Sequence, residues 1–310
     1  MGLYKIDNEN VAQRVKSEDI DYESLFEDWL ENTPSLLFDD DSLETVLWIG
    51  RQATATVGNG VKYPDLIGID YDGDLVIVEL KKGRTPRDVI AQILEYASWG
   101  HSLGYEDLNS MFLQYAEEPT QSLLERYADQ FDIEDLKEDH FNKRQKLFIV
   151  AEKIDSGVEQ VSKYLCDVYK MNINHLEYEV MKTPQKECIV SVKKSFGYVK
   201  PIILSQDGTT ERWGGDKIGD IVYSAVKSHV GKSGKTFELK EIVDLVSKEH
   251  PTMRRDTIRC RITADCVNHT SRRHYPSGQK DHYYRIEKGK FRLYDPATDG
   301  KWNREGRKTN

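Results

Sequence analysis

Between Tyr63 and Gly83 the chain reads YPDLIGIDYDGDLVIVELKKG, two apolar runs parted by Asp72-Gly73. That pattern predicts a β-hairpin with an Asp-Gly turn. Asp65 falls on the first strand, and Asp74 to Leu80 form the second. The second run, LVIV, is unbroken, as expected of a strand buried on both faces. The period then changes from two to nearly four. Thr85 reads as a cap and Pro86 as a first helical residue. Val89, Ile93, Tyr96 and Ala97, with Ile90 and Leu94, make one wide apolar face, and Gln92 lies near the helix start.

The flanking pattern extends this into a layered unit. A helix is expected within Ser24–Leu37, closed by Asn32-x-Pro34, and a strand near Glu44–Ile49. Residues 101–145 are acidic and helical in pattern, an insertion suited to flanking or capping a cleft. Leu147–Val150 reads as a strand, Ser156–Lys170 as a helix, and Ile173–Val180 and Cys188–Lys193 as strands. Alternating elements of this kind imply an α/β fold, a mixed sheet flanked by helices. Residues 1–20 are polar, and a loose segment or a short leading helix is expected there.

Ser205–Asp216, SQDGTTERWGGD, is polar and Gly-rich without periodicity, so it reads as a linker. The expected organisation is a first domain over 1–204, a linker over 205–215, a second domain over 216–296 and a flexible tail over 297–310. The second domain opens with the helical pattern DKIGDIVYSAVKSHV. A second helix is capped by Thr236 and stopped by Pro251, and a third covers TMRRDTIRCRITADCVN. A hairpin turning at Lys288-Gly289 completes it.

Charge divides along the same line. The whole chain carries −9, but residues 211–310 hold 22 Lys and Arg against 14 Asp and Glu, a net +8. Residues 1–210 hold 22 against 39, a net −17. An acidic body with a basic appendage suits a DNA enzyme in which one module does the holding. With 310 residues there is room for two cores. The chain shows neither an eighteen-residue apolar run nor a signal-like start, and its four cysteines form no paired framework. A reducing cytoplasm is the expected location, with no membrane and no organic cofactor.

Candidate chemistry concentrates on the hairpin. Period-2 alternation puts Glu79 and Lys81 on one face of the second strand, with Leu80 opposite. Burying such charges at a strand end costs desolvation energy, which is explicable if they are used there. Asp65 and Glu79 offer hard oxygen ligands for Mg²⁺. Lys81 can stabilise negative charge on a phosphate beside them.

The set Pro64-Asp65, Glu79-x-Lys81 and helical Gln92 resembles the PD-(D/E)xK nuclease superfamily. More narrowly, it is similar to the Mrr-like and NucS-like branch. Arg51–Gly60 (RQATATVGNG), the hairpin and its following helix, SLFEDWLENTPSLL upstream and KLFIVAEKID downstream share in the likeness, over about residues 20–195. The resemblance implies a restriction-endonuclease-like sheet. It implies Asp65 and Glu79 as metal ligands, Lys81 as catalytic lysine, Gln92 as the helical glutamine and Glu27 as the first-helix glutamate. Glu23 and Glu31 share the face of Glu27. Mg²⁺ would be the cofactor, with Mn²⁺ able to substitute. The chain departs from NucS-type proteins in lacking their N-terminal β-domain, so their substrate choice does not carry over.

Three helices followed by a hairpin is a winged-helix order, and the second domain resembles small winged-helix-like modules appended to restriction-type nucleases. Eleven Lys and Arg stand against four acids between Arg254 and Arg292. Arg254, Arg255, Arg259 and Arg261 lie on the third helix, where a major-groove reader would sit. Arg272, Arg273, His274, Lys280, Lys288 and Lys290 follow on the loop and hairpin, and duplex DNA is the expected partner. Cys260 and Cys266 point apart on a helix and make a poor zinc pair with His269 and His274. Gly231–Lys235 lacks the spacing of a phosphate loop and reads as a turn.

These readings favour a Mg²⁺-dependent endonuclease of restriction or defence type, with a homodimer as an allowed assembly. The alternatives are a repair nuclease and a catalytically inactive DNA-binding regulator.

Overall fold

The computed structural model describes residues 4–6, 12–17, 23–38, 45–57, 60–116, 120–133, 136–183, 185, 187–197, 215–231, 236–251, 253–275 and 280–309. The expected linker, but for its last residue, lies outside the described residues, as do residues 232–235.

One sheet carries the N-terminal body. Its strands are β1 (Val46–Arg51), β2 (Leu66–Asp70), β3 (Leu75–Arg84), β4 (Gln145–Lys153), β5 (Ile173–Lys182) and β6 (Cys188–Gly197). They lie side by side in chain order, from β1 at one edge to β6. The central pairs β3–β4 and β4–β5 are parallel, and β1–β2, β2–β3 and β5–β6 are antiparallel. Parallel neighbours need crossovers. Helices α2 (Val89–His101), α3 (Tyr105–Tyr115) and α4 (Leu123–Phe131) lie between β3 and β4, and α5 (Ser156–Tyr169) between β4 and β5.

Alternation along the strands fills two cores. Leu75 and Ile77 pack with Val89, Ile93 and Tyr96 on one face. Val76, Val78 and Leu80 pack on the other, with Phe26 and Leu30 of helix α1 (Glu23–Asn32). Each such fully buried side chain is worth about 1.5–3 kcal/mol. Gly73 makes the β2–β3 turn possible: its φ is +79°, and an added Cβ would lie 2.6 Å from the His140 ring.

The described part of the N-terminus differs from expectation. Tyr4–Ile6 pairs antiparallel with Ala12–Arg14, and Lys16–Ser17 adds to the end of β5, so strands replace the short helix. Helix α2 also starts later than Thr85-Pro86 suggested. The Thr85 amide donates to the Lys153 carbonyl at 2.9 Å, and its hydroxyl accepts from the Asp155 amide at 2.8 Å. Strand pairing still holds the chain at that point, and Asp88 becomes the residue before the helix.

The C-terminal module has its own core, in which Val222, Val226, Ile242, Val246, Ile258 and Phe291 are buried. Its order is α6 (Gly215–Val230), β7 (Thr236–Glu238), α7 (Leu239–Glu249), α8 (Arg255–Ala264), β8 (Tyr283–Glu287) and β9 (Lys290–Leu293). A short strand therefore stands where Thr236 read as a cap; Glu238 precedes α7 and forms a capping box with Glu241. β7 and β8 both pair antiparallel with β9. Helix α8 stops at Ala264 because Asp265 serves the returning strand: its carbonyl accepts from His282 and Tyr283 and its carboxylate from Lys280.

The expected flexible tail is folded over residues 297–309. Pro296–Asp299 forms a helical turn, and Lys301–Trp302 pairs with Lys308–Thr309. Asp299 anchors it by an ion pair with Arg292, and the Trp302 indole donates to the Asp299 carbonyl at 3.1 Å. No helix among the described residues is long and apolar enough to cross a membrane.

Candidate active site

Asp65 sits just before β2, across the hairpin from Glu79 on β3, because Leu66 pairs with Val78. One Asp65 carboxylate oxygen accepts from the Leu80 amide at 2.6 Å, the other from the Gln52 side chain at 2.9 Å. Glu79 is 1% exposed, and the Lys81 ammonium contacts its carboxylate. Burial pushes Asp65 up to about 6 and the Glu27 charge adds to this, while the Leu80 amide, Lys81 and Gln52 work against it.

Glu27 reaches the same place from α1 on the other side of the sheet. Its carboxylate accepts from Arg51 Nε at 3.0 Å and faces Gln52 Nε2 at 3.4 Å. Gln52 thus spans Glu27 and Asp65. It does so from a left-handed backbone, φ 50°, with its amide donating to the Asp65 carbonyl at 3.0 Å. The β1–β2 register slips between Trp48 and Gly50, just before Arg51. The β3–β4 register slips between Lys81 and Arg84. Bulges of this kind re-aim neighbouring side chains.

Arg51 also bonds Asp28 at 2.6 Å and Glu31 at 2.9 Å. Burial works against its charge, but the bonds to Asp28 and Glu27 hold the guanidinium above its usual range. Glu31 further accepts from the Tyr115 hydroxyl. Gln92 donates to the Tyr96 hydroxyl at 2.9 Å, which donates to the Tyr63 carbonyl at 3.0 Å. Burial raises Tyr96 to about 12, and the nearby Glu79 and Asp65 charges add to the rise. The structure therefore brings Glu27, Asp65, Glu79 and Lys81 together, with Gln92 beside them through Tyr96. The sequence alone assigns Arg51 and Gln52 no part in the site and reads Tyr96 only as part of an apolar helix face. Arg51-Gln52 stood in the quoted RQATATVGNG stretch, but nothing local marks a left-handed Gln or says which acids an Arg will meet.

A second acidic group lies at the far end of the same hairpin. Asp70, Asp72 and Asp74 each place a carboxylate oxygen within 4.8 Å of the others. Lys146 pairs with Asp70, and Arg144 lies 3.2 Å from Asp74. Asp70 also accepts from the amides of Asp72 and Asp74, both at 3.0 Å.

The basic residues of the C-terminal module do not form one open face. Arg254 and Arg255 are exposed at the start of α8, Arg255 paired with Asp244. Arg259 is half-buried, and Arg261 is fully buried and paired with Asp265 at 2.8 Å, so it does not face outward as expected. Arg272 is buried and paired with Asp281, which takes it out of reach of a phosphate in this arrangement. Arg273 is exposed, and the His274 side chain lies outside the described residues. Lys280 pairs with Asp220 at 3.0 Å. Lys288 and Lys290 flank a turn docked on the N-terminal body: the Gly289 amide donates to Asp132 at 3.0 Å, and Arg285 bonds the same oxygen at 2.8 Å. Lys290 also pairs with Glu287 at 3.2 Å. Cys260 and Cys266 are buried.

The fold and the site define a mixed α/β protein with a carboxylate–lysine cluster at one end of its sheet. A family model described as a domain of unknown function (DUF7669) matches residues 218–293, within the C-terminal module. No curated protein matches the chain in sequence. Among solved structures, a repair endonuclease from Pyrococcus abyssi is 15% identical at a TM-score of 0.27, with 52% of this chain and 50% of that one covered. A complex of EndoMS with double-stranded DNA is 15% identical at a TM-score of 0.26, with 57% of this chain and 65% of that one covered. The chain thus spans half of the first and 65% of the second, and likenesses of this extent do not bear on its activity.

Proposed function

We propose that the chain is a Mg²⁺-dependent endonuclease that hydrolyses phosphodiester bonds of duplex DNA, of restriction or defence type. One observation carries the reading: Asp65, Glu79 and Glu27 converge with Lys81 on a strand whose preceding residues, Leu75–Val78, are apolar and buried. Crowded buried carboxylates are costly, and a hard divalent cation is the species that relieves them. Asp65 is raised by burial first, and the nearby Glu27 charge adds to the rise. Asp65 and Glu79 would hold the ion, and Mn²⁺ would substitute. When bound, such an ion supplies charge that polarises a phosphoryl oxygen and makes a coordinated water more acidic.

The chain's own groups supply the rest. Lys81 faces the same carboxylates and would stabilise negative charge on the phosphate. Gln52 fixes the Glu27–Asp65 spacing, and Gln92 with Tyr96 fixes the side facing α2. The C-terminal module would hold the duplex in the manner of a winged helix. In support, α6, β7, α7, α8 and the β8–β9 hairpin follow in that order, and Arg254 and Arg255 open α8 toward solvent. Incubating supercoiled plasmid with the protein, with and without Mg²⁺, tests the reading. Nicking or linearisation should require the ion and vanish in Glu79→Ala. Metal-independent cutting, or cutting by Glu79→Ala, would refute it.

A further inference from the structure

A cavity of about 680 Å³ lies between the N-terminal body and the C-terminal module. Its volume is in the range of sites that enclose small organic ligands. An apolar part of the lining comes from Leu47 and Phe112, which pack in the same core. The polar part of the lining includes Arg126 and Gln130 from α4, one helical turn apart, and Arg273 from the C-terminal module. Glu31 borders it and bonds Arg51, so the cavity adjoins the network that reaches Glu27.

Three features of that polar lining are costly as they stand. Gln130 is 1% exposed, and neither atom of its amide has a hydrogen-bond partner. Arg126 makes no side-chain hydrogen bond or ion pair among the described residues. Asp129, which attracts Arg126, accepts from Gln121 at 2.8 Å. Burial, and then the Arg273 charge, lower Arg126 below its usual range. A folded chain seldom keeps an unsatisfied buried amide beside a guanidinium that lacks a hydrogen-bond partner among the described residues without use.

We propose that this cavity binds a nucleotide, its phosphate between Arg126 and Arg273 and its base against Leu47 and Phe112. Guanidinium groups match phosphate geometry. A flat heteroaromatic ring suits the apolar lining. The Gln130 amide, after a side-chain rotation, offers both a donor and an acceptor to a base edge. The nucleotide comes from one of two sources. A free mononucleotide would make this an effector site independent of the nuclease reading. A nucleotide of a bound strand would make it part of the substrate channel and rests on that reading.

Calorimetric titration of the full chain in EDTA separates these. The probes are the four deoxynucleoside 5′-monophosphates, inorganic phosphate, and a short single-stranded deoxyoligonucleotide. Saturable binding of a mononucleotide supports the free source, and binding of the oligonucleotide alone supports the strand source. In either case Arg126→Ala should weaken binding at least tenfold, Arg126→Lys should restore part of it, and phosphate alone should bind more weakly. Unliganded Arg126→Ala should melt no lower than wild type, because it loses a like-charge contact. Gln130→Leu should melt higher and bind the nucleotide more weakly, which decides the matter if Arg126→Ala folds poorly. The proposal fails if no probe binds saturably at millimolar concentration, if both variants bind as wild type does, or if phosphate alone binds as tightly as a nucleotide. All readouts are binding and melting without metal, so loss of cleavage in Glu79→Ala does not affect them.

Discussion

The two ends of the β2–β3 hairpin both hold buried acids, and burial pushes Asp65 at one end and Asp70 at the other up to about 6. Their compensation differs. Asp70 is relieved first by the charge of Lys146 and then by its hydrogen bond. Arg144 sits on Asp74, and turn amides fill the other Asp70 oxygen. Asp65 is relieved first by a neutral backbone amide, and the nearby Glu27 adds to its burden. At the turn end the chain itself supplies cations, Lys146 to Asp70 and Arg144 to Asp74. The Asp65 end concentrates acid around Lys81 and leaves a use for an outside cation. A raised carboxylate therefore does not identify a site; what compensates it does.

The sharpest break in this comparison is activity. Glu79→Ala and Lys81→Ala should each lower cleavage by at least about 100-fold, the scale of losing one group that stabilises transition-state charge. Asp72→Asn should cut DNA as wild type does. Equal loss from Asp72→Asn would move the centre to the turn.

Stability in Mg²⁺ should show the reverse order. Lys146 and Asp70 are both nearly buried, so Lys146→Ala strands a buried carboxylate. Breaking such a pair costs about 3–5 kcal/mol, read by urea denaturation. Lys81→Ala also strands a buried carboxylate, Glu79, but added Mg²⁺ should offset that loss and leave the loss in Lys146→Ala unchanged.

Metal binding sharpens the contrast further. Mg²⁺ at one hundred times its Kd should stabilise the fold by about 2.7 kcal/mol. That gain should disappear in Asp65→Asn and persist in Asp72→Asn, as thermal melting would show. The opposite pattern would assign the ion to the turn.

The smallest effect concerns pH. Asp65 is raised, so the folded state holds its proton more tightly than the unfolded chain does. Its contribution to stability without metal is present below about pH 4 and lost as pH rises through about 6. Mg²⁺ must displace that proton, so affinity should be about tenfold weaker at pH 5 than at pH 7.5. Calorimetry that finds no such change would show that Asp65 is not a ligand.

Some of this was legible along the chain. The Asp72-Gly73 turn fixes which residues face each other across the hairpin, and the two-residue period puts Glu79 and Lys81 on one face. Both are local rules, settled by sterics within a few residues. The alternation of apolar runs likewise carried the order of strands and helices in the main sheet. Other features were decided only when distant segments met. Gln52 spans Glu27 and Asp65, which stand 25 and 13 residues from it. Asp132 meets Arg285 and Gly289, 153 and 157 residues away. Arg272 reads as a surface cation by composition, yet the fold buries it beside Asp281. The tail reads as loose until Asp299 meets Arg292. A side chain's charge is written in the sequence, but its desolvation and its partner are properties of whatever the fold packs against it, and those two quantities decide whether it holds the structure or serves a ligand.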